Sequence, residues 1–190
     1  MFKTTLLSLI FLVAILSQGC SDDAKRSDKK IEEANSMLST NEFVLTSTQN
    51  KQYVISKTDT GFVLDSDKKK MIIFDIFATW CPPCRATAPI LSDLQKKYKD
   101  DLIVIGITIE NGISNEKLQE FKKMNSANYT LVNSPENRAL ITEIASNLKL
   151  GSNFPIPLMA IYKDGKLVNH YVGATEEEFI ESDIKISLDK

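Results

Sequence analysis

Two cysteines three positions apart, Cys81 and Cys84, are the residues of this sequence best suited to carry out chemistry. Thiols at this spacing can help to hold a metal ion, form an inert disulfide, or exchange disulfides with another molecule. A structural zinc site needs four Cys or His ligands, and outside this pair the chain offers only Cys20 and His170. A disulfide that closes so small a loop restricts the unfolded chain little, so its stabilising value is modest. We therefore interpret the pair as redox-active and expect no metal site.

The residues around the pair predict the elements that position it. The apolar run Met71–Phe77 is rich in β-branched and aromatic residues, which is typical of a central strand covered on both faces. Pro82 and Pro83 are compatible only with the first turn of a helix, so Cys81 should lie near its N-cap. The helix dipole and the unpaired N–H groups at that end favour a thiolate. Cys81 is therefore the predicted nucleophile.

The sequence Ala-Thr-Trp-Cys-Pro-Pro-Cys at positions 78–84 resembles the thioredoxin superfamily, and most of all its membrane-associated TlpA/ResA-type branch. The resemblance extends from about residue 43 to the C-terminus. It implies an α/β thioredoxin fold, with a central mixed β-sheet flanked by helices and an N-terminal β-hairpin extension. It also implies a thiol–disulfide oxidoreductase that works without a cofactor.

The remaining patterns predict the elements of such a fold in order. Strand-type residues at 43–47, 53–56 and 62–64 predict the N-terminal β addition. A helix after the cysteines, with a kink expected at Pro89, and a strand at 102–109 complete a βαβ unit with parallel strands. Two amphipathic helices and a short strand at 129–132 follow. An antiparallel hairpin of strands 158–162 and 166–172 and a helix at 176–188 complete the predicted domain.

Pro157 occupies the place of the cis-proline of thioredoxin-like proteins, and Ile156 precedes it. The resemblance implies that Pro157 lies beside the dithiol and that the backbone of Ile156 pairs with an extended substrate peptide. Trp80, Pro82 and Pro83 flank the cysteines and complete the predicted substrate-binding residues. Trp80 is expected to pack beside the dithiol and shield it, with an ordinary core tryptophan as the alternative. For Pro157 the alternative is a trans proline in a plain loop.

Asp75 is an acid inside an apolar strand, where burial should raise the pKa of its carboxyl. It resembles the buried acid of thioredoxin, which exchanges a proton with the second cysteine, here Cys84, through water. The alternative is an aspartate at a strand edge that points to solvent. Many TlpA/ResA-type proteins place an acid three residues after the second cysteine, where this chain has Thr87. The absence of that acid weakens the specific prediction of apocytochrome c reduction, but it does not affect the prediction of general dithiol exchange.

His170 lies on a predicted strand and is interpreted as structural or exposed.

Composition and the N-terminal pattern bear on the compartment. The 190 residues are 43% hydrophobic, which suffices for one domain, and we place it at 41–190. The 25 acidic and 23 basic residues are interspersed, which argues against nucleic-acid binding. Residues 1–19 have the basic head and short apolar stretch of a signal peptide, so export is expected.

Cys20 follows that stretch in a sequence that resembles a bacterial lipobox. We expect Cys20 to be lipidated and to anchor the protein to a membrane. Ordinary signal cleavage, which would leave Cys20 as a free thiol, is the alternative. Residues 20–40 would then be the anchor cysteine and a flexible polar linker, with a short helix predicted at 31–38.

The predicted function is that of an exported thiol–disulfide oxidoreductase on the periplasmic side of a bacterial membrane. Its preferred direction is reduction of protein disulfides, with cytochrome c maturation as the expected task. The resemblance implies apocytochrome c among its substrates and a membrane electron donor of the DsbD/CcdA kind, and we expect a monomer. An oxidase or isomerase using the same cysteines, and a non-catalytic thioredoxin-like binding module, remain the alternatives. The spacing of the cysteines argues against a peroxidase.

Overall fold

The computed structural model describes residues 41–190 and has eight strands and four helices in that part of the chain. The predicted signal peptide, the Cys20 anchor and the linker with its helix at 31–38 lie outside the described residues. The strands are β1 (Glu42–Thr46), β2 (Gln52–Lys57), β3 (Phe62–Leu64), β4 (Met71–Phe77), β5 (Leu102–Thr108), β6 (Thr130–Val132), β7 (Leu158–Lys163) and β8 (Lys166–Val172). The helices are α1 (Pro82–Lys97), α2 (Asn115–Met124), α3 (Asn137–Asn147) and α4 (Glu177–Ser187).

Strand β4 is the middle strand of a five-stranded mixed sheet with the order β6-β5-β4-β7-β8. Every residue of β4 is buried, as the continuous apolar run predicted. It pairs in parallel with β5 and antiparallel with β7, so that Asp75 lies opposite Gly106 on one side and Met159 on the other. The predicted parallel pairing and the late antiparallel hairpin are both confirmed. Both strands of the hairpin, β7 and β8, belong to this sheet.

Alternate residues of β4 supply two separate cores. Ile73 and Phe77 pack with α1, α2 and α4, in a cluster that also contains both cysteines. Phe74 and Ile76 pack on the opposite face with α3 and the N-terminal strands. Burial of each such side chain stabilises the fold by about 1.5–3 kcal/mol relative to exposure, so this strand is fixed on both faces.

The N-terminal addition is a separate antiparallel sheet with the order β1-β2-β3, in which the predicted hairpin gains β3 as its third strand. Two backbone hydrogen bonds tie it to β6 at the edge of the large sheet. The N–H of Thr48 donates to the carbonyl of Leu131 at 3.0 Å, and the N–H of Asn133 donates to the carbonyl of Thr46 at 2.8 Å.

The elements depart little from those predicted. Strand β6 begins at Thr130, so Tyr129, predicted as its first residue, precedes it. Helix α1 runs without interruption through Pro89, which cannot donate a backbone hydrogen bond to the preceding turn, and the kink expected there stays a prediction. Among residues 41–190, no helix combines the length and apolar character that crossing a membrane requires.

Candidate active site

The two cysteines lie where β4 has ended and α1 begins. Cys81 is the N-cap of α1, with extended backbone angles of φ −80° and ψ 115°, and Pro82 and Pro83 form the first turn as predicted. The backbone N–H of Cys84 donates to Sγ of Cys81 at 3.4 Å. The two residues form a disulfide, with their Cα atoms 5.3 Å apart. In the reduced protein, this N–H and the positive end of the helix would stabilise a thiolate on Cys81.

The segment before β7 closes over the first cysteine. The Ile156–Pro157 peptide bond is cis, as predicted, and Pro157 is buried. Sγ of Cys81 lies 3.8 Å from the carbonyl oxygen of Ile156, 75 positions away in sequence. Both cysteines are nearly covered, with 3% of Cys81 and 2% of Cys84 exposed. The Cys81 sulfur therefore lies directly beside the backbone of Ile156.

Asp75 is buried in the sheet, with only 2% of its surface exposed, so the alternative of a solvent-facing aspartate is wrong. Burial raises the pKa of the Asp75 carboxyl from its ordinary 3.8 to about 7, against the opposing effect of a hydrogen bond from Tyr129. That bond runs from the Tyr129 hydroxyl to Oδ2 of Asp75 at 2.7 Å. A carboxyl with this pKa can accept or release a proton near neutral pH.

Comparison with known proteins agrees with this geometry. Residues 54–187 match the redoxin family. The chain belongs to the redoxin family. It is 33% identical to thioredoxin H3 of Arabidopsis thaliana over 115 residues, which are 60% of this chain and 70% of that protein.

Two solved structures share the fold of this redoxin. One is a thiol:disulfide interchange protein of the thioredoxin family from Chlorobium tepidum, with a TM-score of 0.59 and 21% identity over 78% of this chain and 94% of that one. The other is a secreted Mycobacterium tuberculosis disulfide oxidoreductase homologous to E. coli DsbE, with a TM-score of 0.53 and 18% identity over 76% of this chain and 95% of that one. The redoxin is thus a thioredoxin-like thiol–disulfide oxidoreductase.

Trp80 precedes the redox pair and is exposed over 60% of its surface, so the alternative of a core tryptophan is wrong. That it shields the sulfurs stays a prediction. The position gives the redoxin a large exposed aromatic surface next to Cys81. Aromatic side chains are frequent anchors where proteins bind one another.

Thr87 and His170 take no part in the geometry around the sulfurs. Thr87 is buried on α1, where its hydroxyl donates to the carbonyl of Pro83 at 3.0 Å. His170 lies opposite Ala160 in the pairing of β7 with β8 and is half-buried. Three residues after Cys84 the redoxin therefore has a buried hydroxyl that is hydrogen-bonded within its own helix.

Glu110 is a site residue that sequence reasoning missed. Its carboxylate accepts the backbone N–H of Thr79 at 2.6 Å and the Thr79 hydroxyl at 3.0 Å, and it also accepts the hydroxyl of Thr108 at 3.3 Å. The Thr79 carbonyl in turn accepts Nε of Arg85 at 2.9 Å. These bonds hold the turn that leads into Cys81. The sequence does show that Glu110 follows a predicted strand, β5. That its partner is Thr79 could be known only from the fold.

Tyr129 is the second site residue that the sequence did not reveal, because it was predicted only as part of a short strand and not as a partner of Asp75. The available signal was Gly106, a glycine in the interior of a strand, which often marks a close approach by another group. The ring of Tyr129 occupies that space, and its hydroxyl reaches Asp75.

A groove of about 710 Å³ begins beside the redox pair at Ile156. It runs between the segment after β5, helix α3 and the segment before the cis-proline. Glu110 and Arg138 are its charged residues, and Ile141 and Phe154 are among its apolar ones. The groove has room for several side chains of an extended peptide.

Proposed function

We propose that this redoxin is an exported reductase of protein disulfides, with Cys81 as nucleophile, Cys84 as resolving thiol and Asp75 as the group that exchanges the resolving proton. The single observation that carries the proposal is the position of the Cys81 sulfur. The sulfur lies at the N-terminus of α1, 3.8 Å from the carbonyl oxygen of Ile156, the residue proposed to pair with the substrate backbone.

The first step is attack of the Cys81 thiolate on one sulfur of the substrate disulfide. The substrate disulfide breaks, a mixed disulfide between Cys81 and the substrate forms, and the second substrate sulfur leaves as a thiolate. In the second step Cys84 gives its proton to Asp75 through water and attacks Sγ of Cys81, and the bond from Cys81 to the substrate breaks. The Cys81–Cys84 disulfide forms, and the substrate leaves with both cysteines reduced.

Substrate binding is assigned to Trp80, Pro82, Pro83, Ile156 and Pro157. The exposure of Trp80 supports this, as does the opening of the groove at Ile156. An extended substrate segment would pair with the backbone at Ile156 while its flanking side chains lie in the groove. Such a site accepts protein substrates more readily than small disulfides.

The setting proposed for the reaction is the periplasmic side of a bacterial membrane, with residues 1–19 as signal peptide, Cys20 as lipid anchor and 41–190 as the catalytic domain. The signal-like sequence at the N-terminus supports export, as does the likeness in fold to a secreted oxidoreductase. Apocytochrome c is the proposed substrate, a DsbD/CcdA-type membrane protein the proposed electron donor, and a monomer the proposed state. Incorporation of labelled palmitate by the wild-type protein, and its loss in Cys20→Ser, would test the anchor.

The reduction potential of the Cys81–Cys84 pair tests the direction of the reaction. The oxidised protein is equilibrated with dithiothreitol buffers, and the fraction reduced is read by mass after alkylation. A reductase should have a potential near or below that of thioredoxin, about −270 mV. A value near −120 mV, typical of a strong oxidant, would contradict the proposed direction and favour an oxidase. Absence of any insulin reduction by the reduced protein would favour the binding module.

A further inference from the structure

The buried acid of this site has two inequivalent oxygens. Oδ2 of Asp75 accepts the hydroxyl of Tyr129 at 2.7 Å. Oδ1 is fully buried and has no hydrogen-bond partner within residues 41–190. A buried carboxylate oxygen without a partner is costly, so one left in this state is expected to serve a purpose. Here that purpose can be to hold the proton that Asp75 exchanges.

The sequence of β5 makes room for the tyrosine. Gly106 lies opposite Asp75 in the parallel pairing of β4 with β5. A Cβ atom at Gly106 would lie 2.9 Å from Cε2 of Tyr129 and 2.6 Å from Cδ2 of Leu131, closer than side-chain atoms can pack. The ring of Tyr129 therefore reaches Asp75 through a space that any other residue at position 106 would fill.

We infer that Tyr129 is a positioning residue, which occupies Oδ2 of Asp75 so that the proton released by Cys84 is taken up on Oδ1. The inference rests on the proposed role of Asp75 in the resolving step. In that step the Cys84 thiol loses its proton to Oδ1 through water, and the resulting thiolate attacks Sγ of Cys81. The bond from Cys81 to the substrate breaks, and the substrate leaves as a thiolate.

The groups that surround Asp75 leave Tyr129 as its polar partner. Gly106 on β5 and Met159 on β7, which lie opposite Asp75, have no ionisable side chain. Helices α1, α2 and α4 contribute to this face of the sheet a buried cluster of mostly apolar side chains, which also contains Cys81, Cys84 and Tyr98. The Nζ of Lys122 on α2 donates to the backbone carbonyl of Tyr129.

The Tyr129→Phe variant removes the hydroxyl and retains the ring. Because the hydrogen bond from Tyr129 lowers the pKa of Asp75, its loss should raise that pKa further. From the usual strength of a hydrogen bond to a charged group, we expect a shift of about one to two pH units. Tyr162→Phe is the matched control. Tyr162 is also a buried tyrosine, but its hydroxyl donates to Asn147 on the opposite face of the sheet.

Stopped-flow absorbance with 5,5′-dithiobis(2-nitrobenzoate) separates the two steps. The full chain is used in a Cys20→Ser background, so that Cys81 and Cys84 are its only thiols. Attack by Cys81 releases the first coloured thiolate, and closure by Cys84 releases the second. In Tyr129→Phe the pH midpoint of the second phase should rise by about one to two units. The first phase in this variant, and both phases in Tyr162→Phe, should remain as in the wild type.

The Asp75→Asn variant separates the proposed role of Asp75 from the inferred role of Tyr129. If it abolishes the pH dependence of the second phase while Tyr129→Phe leaves the midpoint in place, the role of Asp75 stands and that of Tyr129 is overturned. If Asp75→Asn leaves the pH dependence unchanged, both are overturned.

Carbon-13 NMR titration of the Asp75 carboxyl provides a readout that does not depend on activity. The carboxyl of Tyr129→Phe should titrate at higher pH than that of the wild type and of Tyr162→Phe. Should Tyr129→Phe fail to fold, Gly106→Ala, which displaces the ring and retains the hydroxyl, should shift the titration in the same direction. An unshifted carboxyl in a folded variant that lacks the contact would overturn the inference.

Discussion

Replacement of Asp75 by Asn should make the oxidised protein more stable at alkaline pH. The pKa of Asp75 is raised from 3.8 to about 7 by burial. The folded state therefore binds more protons than the unfolded state between these values, so stability falls as pH rises through this window. A difference of about 3 pKa units corresponds to about 4 kcal/mol, lost by the wild type between about pH 4 and pH 8. Asn has no proton to lose, and its side-chain oxygen can still accept the Tyr129 hydroxyl.

Guanidinium chloride unfolding at a series of pH values measures this directly. The free energy of unfolding of Asp75→Asn minus that of the wild type should grow by about 4 kcal/mol from pH 4 to pH 8, since all other titrating groups cancel. Both proteins are kept oxidised, so the thiols do not titrate. Asp183→Asn is the control, because Asp183 also accepts a tyrosine hydroxyl but is only half-buried. A difference between Asp75→Asn and wild type that stays flat within about 1 kcal/mol would refute the argument from burial.

Three further variants test the surroundings of the redox pair. Glu110→Gln keeps only one of the two oxygens that accept from Thr79, so it should destabilise the protein by about 1–3 kcal/mol and slow the attack by Cys81. Glu136→Gln is the control, because the Glu136 carboxylate accepts a backbone N–H of β1 and should not affect the attack; equal rates in both variants would contradict this. Thr87→Val should change stability by about 1 kcal/mol and leave the rate of insulin reduction as it is, and a large loss of that rate would give Thr87 a catalytic role. Because Trp80 is exposed beside Cys81, Trp80→Ala should lower kcat/KM about tenfold with a protein disulfide and little with a small disulfide. Equal losses of kcat/KM with both substrates would contradict a role of Trp80 in binding protein substrates.

The turn that carries the cysteines could be predicted because its determinants are local. The continuous apolar run before the cysteines predicted β4 as a strand covered on both faces. Adjacent prolines are tolerated only at a helix start, and they predicted Cys81 as the N-cap. The burial of Asp75 followed from its place inside the apolar run. The proximity of the Ile156–Pro157 segment to Cys81 depended on the topology of the sheet, which the resemblance implied and the structure confirmed.

The partners of the buried acid and of the turn could not be predicted in this way. Tyr129 reaches Asp75 only because β6 lies beyond β5 in the sheet and because Gly106 leaves space between them. Glu110 contacts Thr79 because β4 and β5 end side by side, and neither segment contains a sequence pattern that predicts this contact. Such contacts depend on which strands are neighbours, so short sequence patterns do not contain them.

Trapping of the mixed disulfide is a direct test of Cys81 as the nucleophile. Cys84→Ser in the Cys20→Ser background leaves Cys81 as the only thiol, and this variant is incubated with insulin and analysed by non-reducing electrophoresis and peptide mass spectrometry. A covalent adduct between Cys81 and an insulin cysteine, released by dithiothreitol, should form, because no second thiol can resolve it. Cys81→Ser in the same background should form little or none. Equal adduct formation by the two variants, or none by Cys84→Ser, would contradict the assignment of Cys81 as the nucleophile.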